Sequence, residues 1–191
     1  MSDREIEIQV KIENSTNLLS FLDSDAQFQK ESHQVDTYYC PSHRDFLSVR
    51  PVKEWLRLRD SNGKYTINYK DWQYGPDGKS HYCNEYETPV ESLEQLQKIL
   101  GALDFKPIVT VDKLRKTWRH QNYEIVVDSI KNLGDFVEIE YKGEETLSTP
   151  AQITEEMINF LKKLNVGEIE RNYVGYPFML LFGNEVKQEV Q

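Results

Sequence analysis

Apolar and charged side chains alternate in short segments of this chain, and that alternation constrains its fold more than any other feature. In residues 5–12 every second residue is isoleucine or valine, and the residues between them are glutamate, glutamine or lysine. Successive side chains of a β-strand point to opposite faces, so a period of two predicts a strand with one apolar and one charged face. Similar segments predict seven further strands, at residues 35–39, 54–60, 64–72, 81–90, 108–120, 123–130 and 135–143.

Three other segments, residues 14–21, 91–103 and 150–164, space their apolar residues as an amphipathic helix does. The last of them begins with Pro150, which suits the first turn of a helix. About eight strands with few helices favour a mainly β (α+β) fold. We predict a closed or nearly closed antiparallel eight-stranded β-barrel, a tunnel with helices packed outside, because closure removes exposed strand edges.

Length, charge and hydropathy limit the organisation and location of the protein. A chain of 191 residues is long enough for one sizeable domain, so we expect residues 1–191 to form a single domain. No apolar run approaches the length of a membrane span, and the first residues lack the apolar stretch of a signal peptide, which predicts a cytoplasmic protein. The net charge of −9 argues against binding to nucleic acid or to a membrane surface.

In each predicted strand, alternate residues form one polar and one apolar face, and we call these two sets the polar and the apolar parity. Charges of the same sign recur two residues apart on the polar parity. Glu-x-Glu occurs at residues 5–7, 85–87 and 138–140, Arg-x-Arg at 57–59 and Lys-x-Arg at 113–115. A sheet whose polar face points at water would account for any one strand, but such a face usually mixes threonine, serine and glutamine with lysine. Like charges on one face repel each other unless groups of opposite sign lie between them. The repeated pairs therefore indicate a polar face that binds ions.

A barrel that closed with this parity inward would hold seven carboxylates and six bases in its lumen. The carboxylates are those of Glu5, Glu7, Glu85, Glu87, Asp128, Glu138 and Glu140, and the bases are Lys11, Arg57, Arg59, Lys70, Lys113 and Arg115. Buried charges are costly unless they are paired or bound to ions. A nucleoside or inorganic triphosphate with Mg²⁺ or Mn²⁺ would satisfy both sets, because bases bind phosphate oxygens and carboxylates bind the metal. A lipocalin-like carrier would need an apolar lumen instead.

The motifs that carry these charges resemble those of the CYTH superfamily, the triphosphate tunnel metalloenzymes, from residue 5 to about residue 173. The similar segments are, in order, the opening ExE, VDTYY (35–39), LRLR (56–59), Lys70, EYE (85–87), DKLRK (112–116) and VDSIKNLGDFVEIE (127–140). The last segment is the most specific of them. The superfamily includes class IV adenylyl cyclases, thiamine triphosphatases and inorganic triphosphatases, and the QVDTYY and LGDFVEIE segments look closest to the class IV cyclases.

The resemblance implies a role for each charged position. It implies metal binding by Glu5, Glu7, Glu85, Glu87, Asp128, Glu138 and Glu140. It implies phosphate binding by Arg57, Arg59, Lys70, Lys113, Arg115 and Arg171, for which surface salt bridges are the alternative. Mg²⁺ or Mn²⁺ is the implied cofactor, and the family also allows a homodimer.

The opening motif departs from the family's ExExK pattern, because Gln9 stands where that pattern has lysine. Lys11 lies two residues further along the same parity and can present an ammonium group one step away. The resemblance links the family's lysine with substrate positioning or base chemistry, so Lys11, Glu5 and Glu7 are the candidate catalytic residues. The departure bears on the rate and on the choice of substrate.

Three functions remain open from the sequence. An adenylyl cyclase, which the resemblance favours, would convert ATP to cyclic AMP and pyrophosphate by attack of the ribose 3′-oxygen on the α-phosphorus. An inorganic or thiamine triphosphatase would instead let water attack the terminal phosphorus. A non-catalytic polyphosphate-binding module is the third hypothesis, and Gln9 motivates it. Trp55, Tyr38 and Tyr69 could stack on a base, but we expect each to be a core or rim aromatic.

Overall fold

The computed structural model describes residues 6–74, 80–143, 149–171, 174–186 and 189–190. The strands are β1 (Glu7–Ile12), β2 (Gln27–Pro41), β3 (Glu54–Ser61), β4 (Lys64–Tyr74), β5 (Ser80–Val90), β6 (Phe105–His120), β7 (Tyr123–Ile130), β8 (Gly134–Tyr141), β9 (Ile169–Arg171) and β10 (Glu189–Val190). The α-helices are α1 (Thr16–Asp25), α2 (Leu93–Ala102), α3 (Pro150–Lys163) and α4 (Gly175–Phe182). Short 3₁₀ helices lie at Phe46–Ser48 and Gly183–Glu185.

The strands hydrogen-bond in the order β10-β9-β1-β8-β7-β6-β2-β3-β4-β5. The pairs with a defined register are antiparallel. β10 and β5 end this order, so the sheet is not strictly closed among the described residues. A mainly antiparallel β architecture with a few helices is the predicted fold class, and the structure confirms it.

All eight predicted strands and all three predicted helices are present; β9, β10 and α4 are additional to them, and β2 is longer than predicted. β2 begins at Gln27, well before the alternation starts at residue 35, and residues 27–31 are exposed. Hydrogen bonds to the neighbouring β6 extend this strand, so burial of side chains does not reveal it. α4 was not predicted, because buried residues run without a break from Tyr176 to Met179 and leave no helical period. Within the described residues, no helix is both long and apolar enough to cross a membrane.

The chain forms two compact units. Unit 1 comprises Met1–Ser32, Leu114–Asn172 and Lys187–Gln191, and unit 2 comprises His33–Lys113 and Tyr173–Val186. The long strands β2 and β6 contribute residues to both units. The expectation of a single domain stays a prediction.

The core of unit 1 joins the apolar faces of its strands to helices α1 and α3. The buried residues include Ile8, Val10, Ile125, Val137 and Ile139 from the strands and Leu18, Leu22, Ile153, Met157 and Leu161 from the helices. A capping box fixes the start of α3, since Thr149 accepts from the Gln152 backbone and Gln152 accepts from the Thr149 backbone. The strands bury the parity that the sequence predicted to be apolar, which places their charged parity on the opposite face.

The core of unit 2 is built in the same way, with α2 against the strands. Leu93, Leu96 and Leu100 of α2 belong to a cluster with Tyr39, Leu56, Leu58, Ile67 and Tyr69 of the strands. Ser92 caps α2, and its side chain accepts a hydrogen bond from the Gln95 backbone. The alternating Arg57 and Arg59 therefore lie on the opposite face of β3 from this core.

Truncation of Leu161 tests the packing of α3 in unit 1. Leu161 is fully buried, so Leu161→Ala should lower the free energy of unfolding by about 2–5 kcal/mol through lost burial and a residual cavity. Lys162→Ala changes the next residue of the same helix, which is exposed, and should alter that free energy by less than about 0.5 kcal/mol. Urea unfolding measures both values, and equal effects of the two variants would contradict this placement of the core.

Candidate active site

The charged face of the strands is partly buried, although it lies on the side of the sheet opposite the apolar core. Asp36, Arg57, Asn68, Lys113 and Asp128 are each less than a tenth exposed. A sheet face that points at water would leave long polar side chains accessible. The half-solvated sheet therefore fails as an explanation for these positions, and their charges need partners nearby.

In unit 2, the carboxylate of Asp36 holds the predicted phosphate-binding arginines. Asp36 on β2 lies directly opposite Arg59 on β3, and Arg59 donates from Nε and Nη2 to its two oxygens at 2.6 and 2.7 Å. Arg57 Nη1 lies 3.9 Å from Asp36 Oδ2. Burial alone would raise the pKa of Asp36, but the hydrogen bond and charge of Arg59, with the charges of Arg57 and Lys113, lower it. The ionised Asp36 thus fixes the guanidinium of Arg59 by two hydrogen bonds.

The acidic pair on β5 lies in register with one base and one amide on β4. Glu85 is opposite Lys70, whose Nζ is 3.0 Å from Glu85 Oε2, and Glu87 is opposite Asn68. Arg57 Nη2 donates to Glu87 Oε2 at 3.0 Å, and the Asn68 amide donates to both carboxylates. Burial alone would raise the pKa of Glu85, but Lys70 and Asn68 lower it. The structure therefore places these two predicted metal ligands as partners of predicted phosphate-binding bases.

Two further contacts complete this side of unit 2. The buried Nε of Arg57 has no hydrogen-bond partner within the described residues, and such an N–H is costly unless an acceptor reaches it. Lys113 is 4% exposed, and its ammonium lies 5.1 Å from the centroid of the Tyr176 ring on α4, a cation–π contact. We call Arg57, Arg59, Lys70 and Lys113 the basic cluster.

In unit 1, three glutamates stand in one row across neighbouring strands. Glu7 on β1 lies opposite Glu140 on β8, and Glu140 lies opposite Glu124 on β7. We call these three residues the glutamate row. Like charges directly opposite each other destabilise a sheet, so the row needs a cation nearby. An ion pair between Glu140 and Lys142 supplies part of that charge.

Gln9, Glu138 and Asp128 lie around Arg115 in the two rows that follow the glutamate row. Gln9 lies opposite Glu138 and donates from Nε2 to its Oε1 at 2.9 Å. Arg115 donates from Nε to Asp128 Oδ1 at 2.7 Å, and its Nη2 donates to both Asp128 and Glu138. This predicted phosphate-binding residue therefore bridges two predicted metal ligands. Asp128 is fully buried, so it could bind a cation only if Arg115 moved.

Three predicted residues remain. Lys11 is opposite Phe136 on β8, which is also opposite Asp128 on β7, and it shares the parity of the other charged residues of β1. Arg171 is opposite Val10, which places it in register with the apolar parity of β1. Glu5 lies outside the described residues.

The acidic residues of unit 1 fit a divalent cation of the Mg²⁺ type. Mg²⁺ binds through one or two carboxylates and completes its coordination with waters and substrate phosphates. Within the described residues, no three His, Cys, Asp or Glu side chains lie close enough to hold a metal ion by themselves. The opposed carboxylates of Glu7 and Glu140 supply the smaller number that Mg²⁺ or Mn²⁺ needs.

The aromatic residues considered for base stacking occupy core positions, as expected. Tyr38 and Trp55 are buried and meet edge to face with their ring centroids 5.5 Å apart. Tyr69 packs with the apolar cluster of unit 2.

Sequence reasoning missed Asp36, Asn68 and Glu124, because none of them belongs to a same-sign pair. Asp36 lies on the polar parity of its strand, and the next strand in the chain carries Arg-x-Arg on its own polar parity. Antiparallel pairing of these two strands could therefore have indicated an ion pair with Asp36. Glu124 could have been found from the register of the β7–β8 hairpin, which sets it opposite Glu140. Nothing in the local pattern distinguishes Asn68 from an ordinary polar strand residue.

Comparison with known proteins gives one family and one curated relative. A family model described as the CYTH domain matches residues 3–173. A protein of Methanocaldococcus jannaschii named "Putative adenylate cyclase" is 31% identical over 176 residues, which cover 89% of this chain and 96% of that protein.

Solved structures share the fold at lower identity. The PH1819 protein of Pyrococcus horikoshii gives a TM-score of 0.71 at 24% identity, covering 94% of this chain and 99% of that one. A "putative adenylate cyclase" of Vibrio parahaemolyticus gives 0.69 at 16% identity, with coverage of 94% and 99%. A "putative adenylyl cyclase" of Hippeastrum, described as having a dominant triphosphatase activity, gives 0.65 at 16% identity, with coverage of 96% and 97%. These similarities establish the fold.

Asp36→Asn tests the buried ion pair of unit 2. The variant leaves Arg59 without its counter-charge, so the free energy of unfolding should fall by roughly 3–5 kcal/mol at neutral pH. The folded-state pKa of Asp36 lies below its ordinary value of 3.8. Its contribution to stability is therefore fully present above that value and is lost as the pH falls through the folded-state pKa.

Urea unfolding of both proteins between pH 7 and pH 3 measures this difference, which should narrow at the acid end. Asp23→Asn is the control, since Asp23 is exposed on α1, and its effect should stay within about 0.5 kcal/mol. A difference between wild type and Asp36→Asn that stays constant down to pH 3 would contradict the ion pair.

Proposed function

The chain belongs to the CYTH domain family, and we propose from this premise that it is a metal-dependent enzyme that acts on a triphosphate. The preferred reaction is that of an adenylyl cyclase, which converts ATP to cyclic AMP and pyrophosphate. The name of the Methanocaldococcus relative supports this reaction, as do the segments that resemble class IV cyclases.

The basic cluster of unit 2 carries the proposal. Its four bases share one polar parity, although Arg57 and Lys113 are almost inaccessible to water. Guanidinium groups bind phosphate oxygens by two parallel hydrogen bonds, and lysine binds them as a point charge. On this proposal, phosphate oxygens take the acceptor places that Glu85 and Glu87 now fill on Lys70 and Arg57.

The glutamate row of unit 1, with Glu138 and with Glu5 outside the described residues, would hold the divalent cation. A bound cation would neutralise phosphate charge and make the phosphorus atom more electrophilic. Gln9 and Arg115 both donate to Glu138, so they orient one of these carboxylates.

The cyclase reaction joins the ribose 3′-oxygen to the α-phosphorus while pyrophosphate leaves and the 3′-hydroxyl loses its proton. The bases of the cluster would hold the phosphates in line for this attack, which removes much of the entropic part of the barrier. Lys11 and Glu7 share one parity of β1 and are the proposed catalytic residues beside Glu5.

A triphosphatase is the second candidate, and a specific observation favours it. The Hippeastrum protein of the same fold is described as having a dominant triphosphatase activity. In that reaction water attacks the terminal phosphorus, the bond from that phosphorus to the bridging oxygen breaks, and the remaining diphosphate leaves, so that orthophosphate and a diphosphate are the products. Phosphate-binding residues could serve both reactions, because the two differ in the nucleophile and in the phosphorus attacked.

Product analysis with ATP, tripolyphosphate and thiamine triphosphate, each with Mg²⁺ or Mn²⁺, decides between the reactions. We expect cyclic AMP and pyrophosphate from ATP, both lost in Glu138→Ala/Glu140→Ala. Orthophosphate without cyclic AMP would replace the cyclase by a triphosphatase. Turnover of no substrate would favour a non-catalytic polyphosphate-binding module.

The control for the double variant is Glu155→Ala, which removes an exposed carboxylate of α3 and should leave the products and rate unchanged. Equal losses in this control would show that the double variant acts through stability. Urea unfolding of the three proteins checks that they fold.

Gln9→Lys tests the departure from the family pattern. The new ammonium would lie beside Glu138, where Gln9 Nε2 is now 2.9 Å from Oε1. An added positive charge there should weaken Mn²⁺ binding about fivefold, which is ~1 kcal/mol for a partly exposed pair. Titration calorimetry with Mn²⁺ measures the change, and an unchanged or increased affinity would remove Glu138 from the cation site.

A further inference from the structure

Trp72 continues the row of functional side chains along β4. It lies two residues beyond Lys70 and four beyond Asn68, so the three share one face of the strand. On that face Asn68 is opposite Arg57, and Lys70 is opposite Trp55. Trp72 therefore lies one step beyond the last base of the cluster.

The order of side chains along this face changes from charged to aromatic. Register places Arg59 opposite Asp36, then Arg57 opposite Tyr38. Lys70 comes next, and its ammonium lies 5.6 Å from the centroid of the Trp72 ring. A phosphate chain bound along the bases would therefore have this ring beside one of its two ends, within reach of a base attached there.

Trp72 differs from the other two tryptophans in its accessibility. Trp55 and Trp118 are buried, at 5% and 2% exposure, whereas Trp72 is of intermediate exposure. Tyr74 follows an irregularity in the β4–β5 register at Gln73/Tyr74, and its hydroxyl already donates to the Val52 carbonyl at 3.1 Å. Among the side chains described on this face of β3 and β4, Trp72 is therefore the aromatic one with surface left for a planar ligand.

A purely structural role would use Trp72 to pack against the stem and ammonium of Lys70. Such a cation–π contact needs one face of the indole. It leaves the accessible part of the ring without a function. Stacking of a base on an aromatic side chain contributes about 1–3 kcal/mol and tolerates different bases, and it would use that surface.

We propose that Trp72 is the stacking residue for a nucleobase, so that the site takes a nucleoside triphosphate in preference to inorganic triphosphate. This inference rests on the proposed function, because it requires phosphates on the basic cluster. It adds a residue that sets substrate specificity. It also accounts for substrate choice within unit 2, since Trp72, Lys70 and Arg57 all belong to that unit.

The test compares two non-reacting ligands in the presence of Mg²⁺: ATP in which methylene groups replace both bridging oxygens of the triphosphate, and tripolyphosphate with the same two replacements. Trp72→Ala should weaken binding of the ATP analogue about tenfold or more, as loss of one stacked base predicts. The affinity for the tripolyphosphate analogue should not change. Trp72→Phe keeps an aromatic face and should retain most of the affinity for the ATP analogue.

Intrinsic fluorescence gives a second readout that a structural role would not produce. The ATP analogue should quench the wild-type emission, Trp72→Phe should abolish the quenching, and Trp118→Phe, in the apolar core of unit 1, should keep it. The tripolyphosphate analogue should produce no comparable quenching.

Three outcomes would overturn the inference. Equal weakening of both ligands in Trp72→Ala would mean that the ring acts only through Lys70. Unchanged affinity for the ATP analogue would mean that no base stacks on it, while the proposed function would stand. Failure of the wild-type protein to bind either analogue would overturn the proposed function and the inference with it.

Discussion

Packing of helices against one parity of the strands determines where every charged side chain of the other parity can lie. In unit 1 helices α1 and α3 share a core with the strands, and in unit 2 α2 does so. A shift of any strand by one residue would bring its charges into that core. The free energy of apolar burial therefore fixes the register and offsets the repulsion between the opposed Glu7 and Glu140.

The charged side chains form ion pairs that arrange them before any ligand binds. Asp36 orients Arg59, and Asp128 orients Arg115, in each case through both oxygens of a buried carboxylate. A buried charge that keeps a partner avoids most of the desolvation penalty. The carboxylates on β5 are more exposed, with 32% for the side chain of Glu85. On the proposed function, an incoming phosphate would replace these outer partners, while the buried carboxylates would keep Arg59 and Arg115 in place.

Periodicity in the sequence predicts strands β1 to β8, helices α1 to α3 and the polar parity, because each depends on local spacing. It does not predict α4, whose buried residues are continuous, or the exposed start of β2, which hydrogen bonds to β6 extend. The same-sign pairs in the sequence identify the arginines and most of the glutamates as candidate site residues. They do not lead to Asp36 or Glu124, because these roles arise only from pairing across strands. Trp72 needed the structure for a related reason, since sequence gives its parity but not its exposure.

On the proposed function, Gln9 would affect the chemistry of a bound triphosphate more than its binding. Its amide donates to Glu138, as an ammonium group would, but it brings no charge. The net charge around the glutamate row is thus more negative by one unit than it would be with lysine at this position, which favours binding of a divalent cation. The basic cluster lies in unit 2 and does not include Gln9, so affinity for phosphate can persist while the rate or the attacking group changes. Family membership therefore constrains the charge of the substrate more tightly than the bond that is broken.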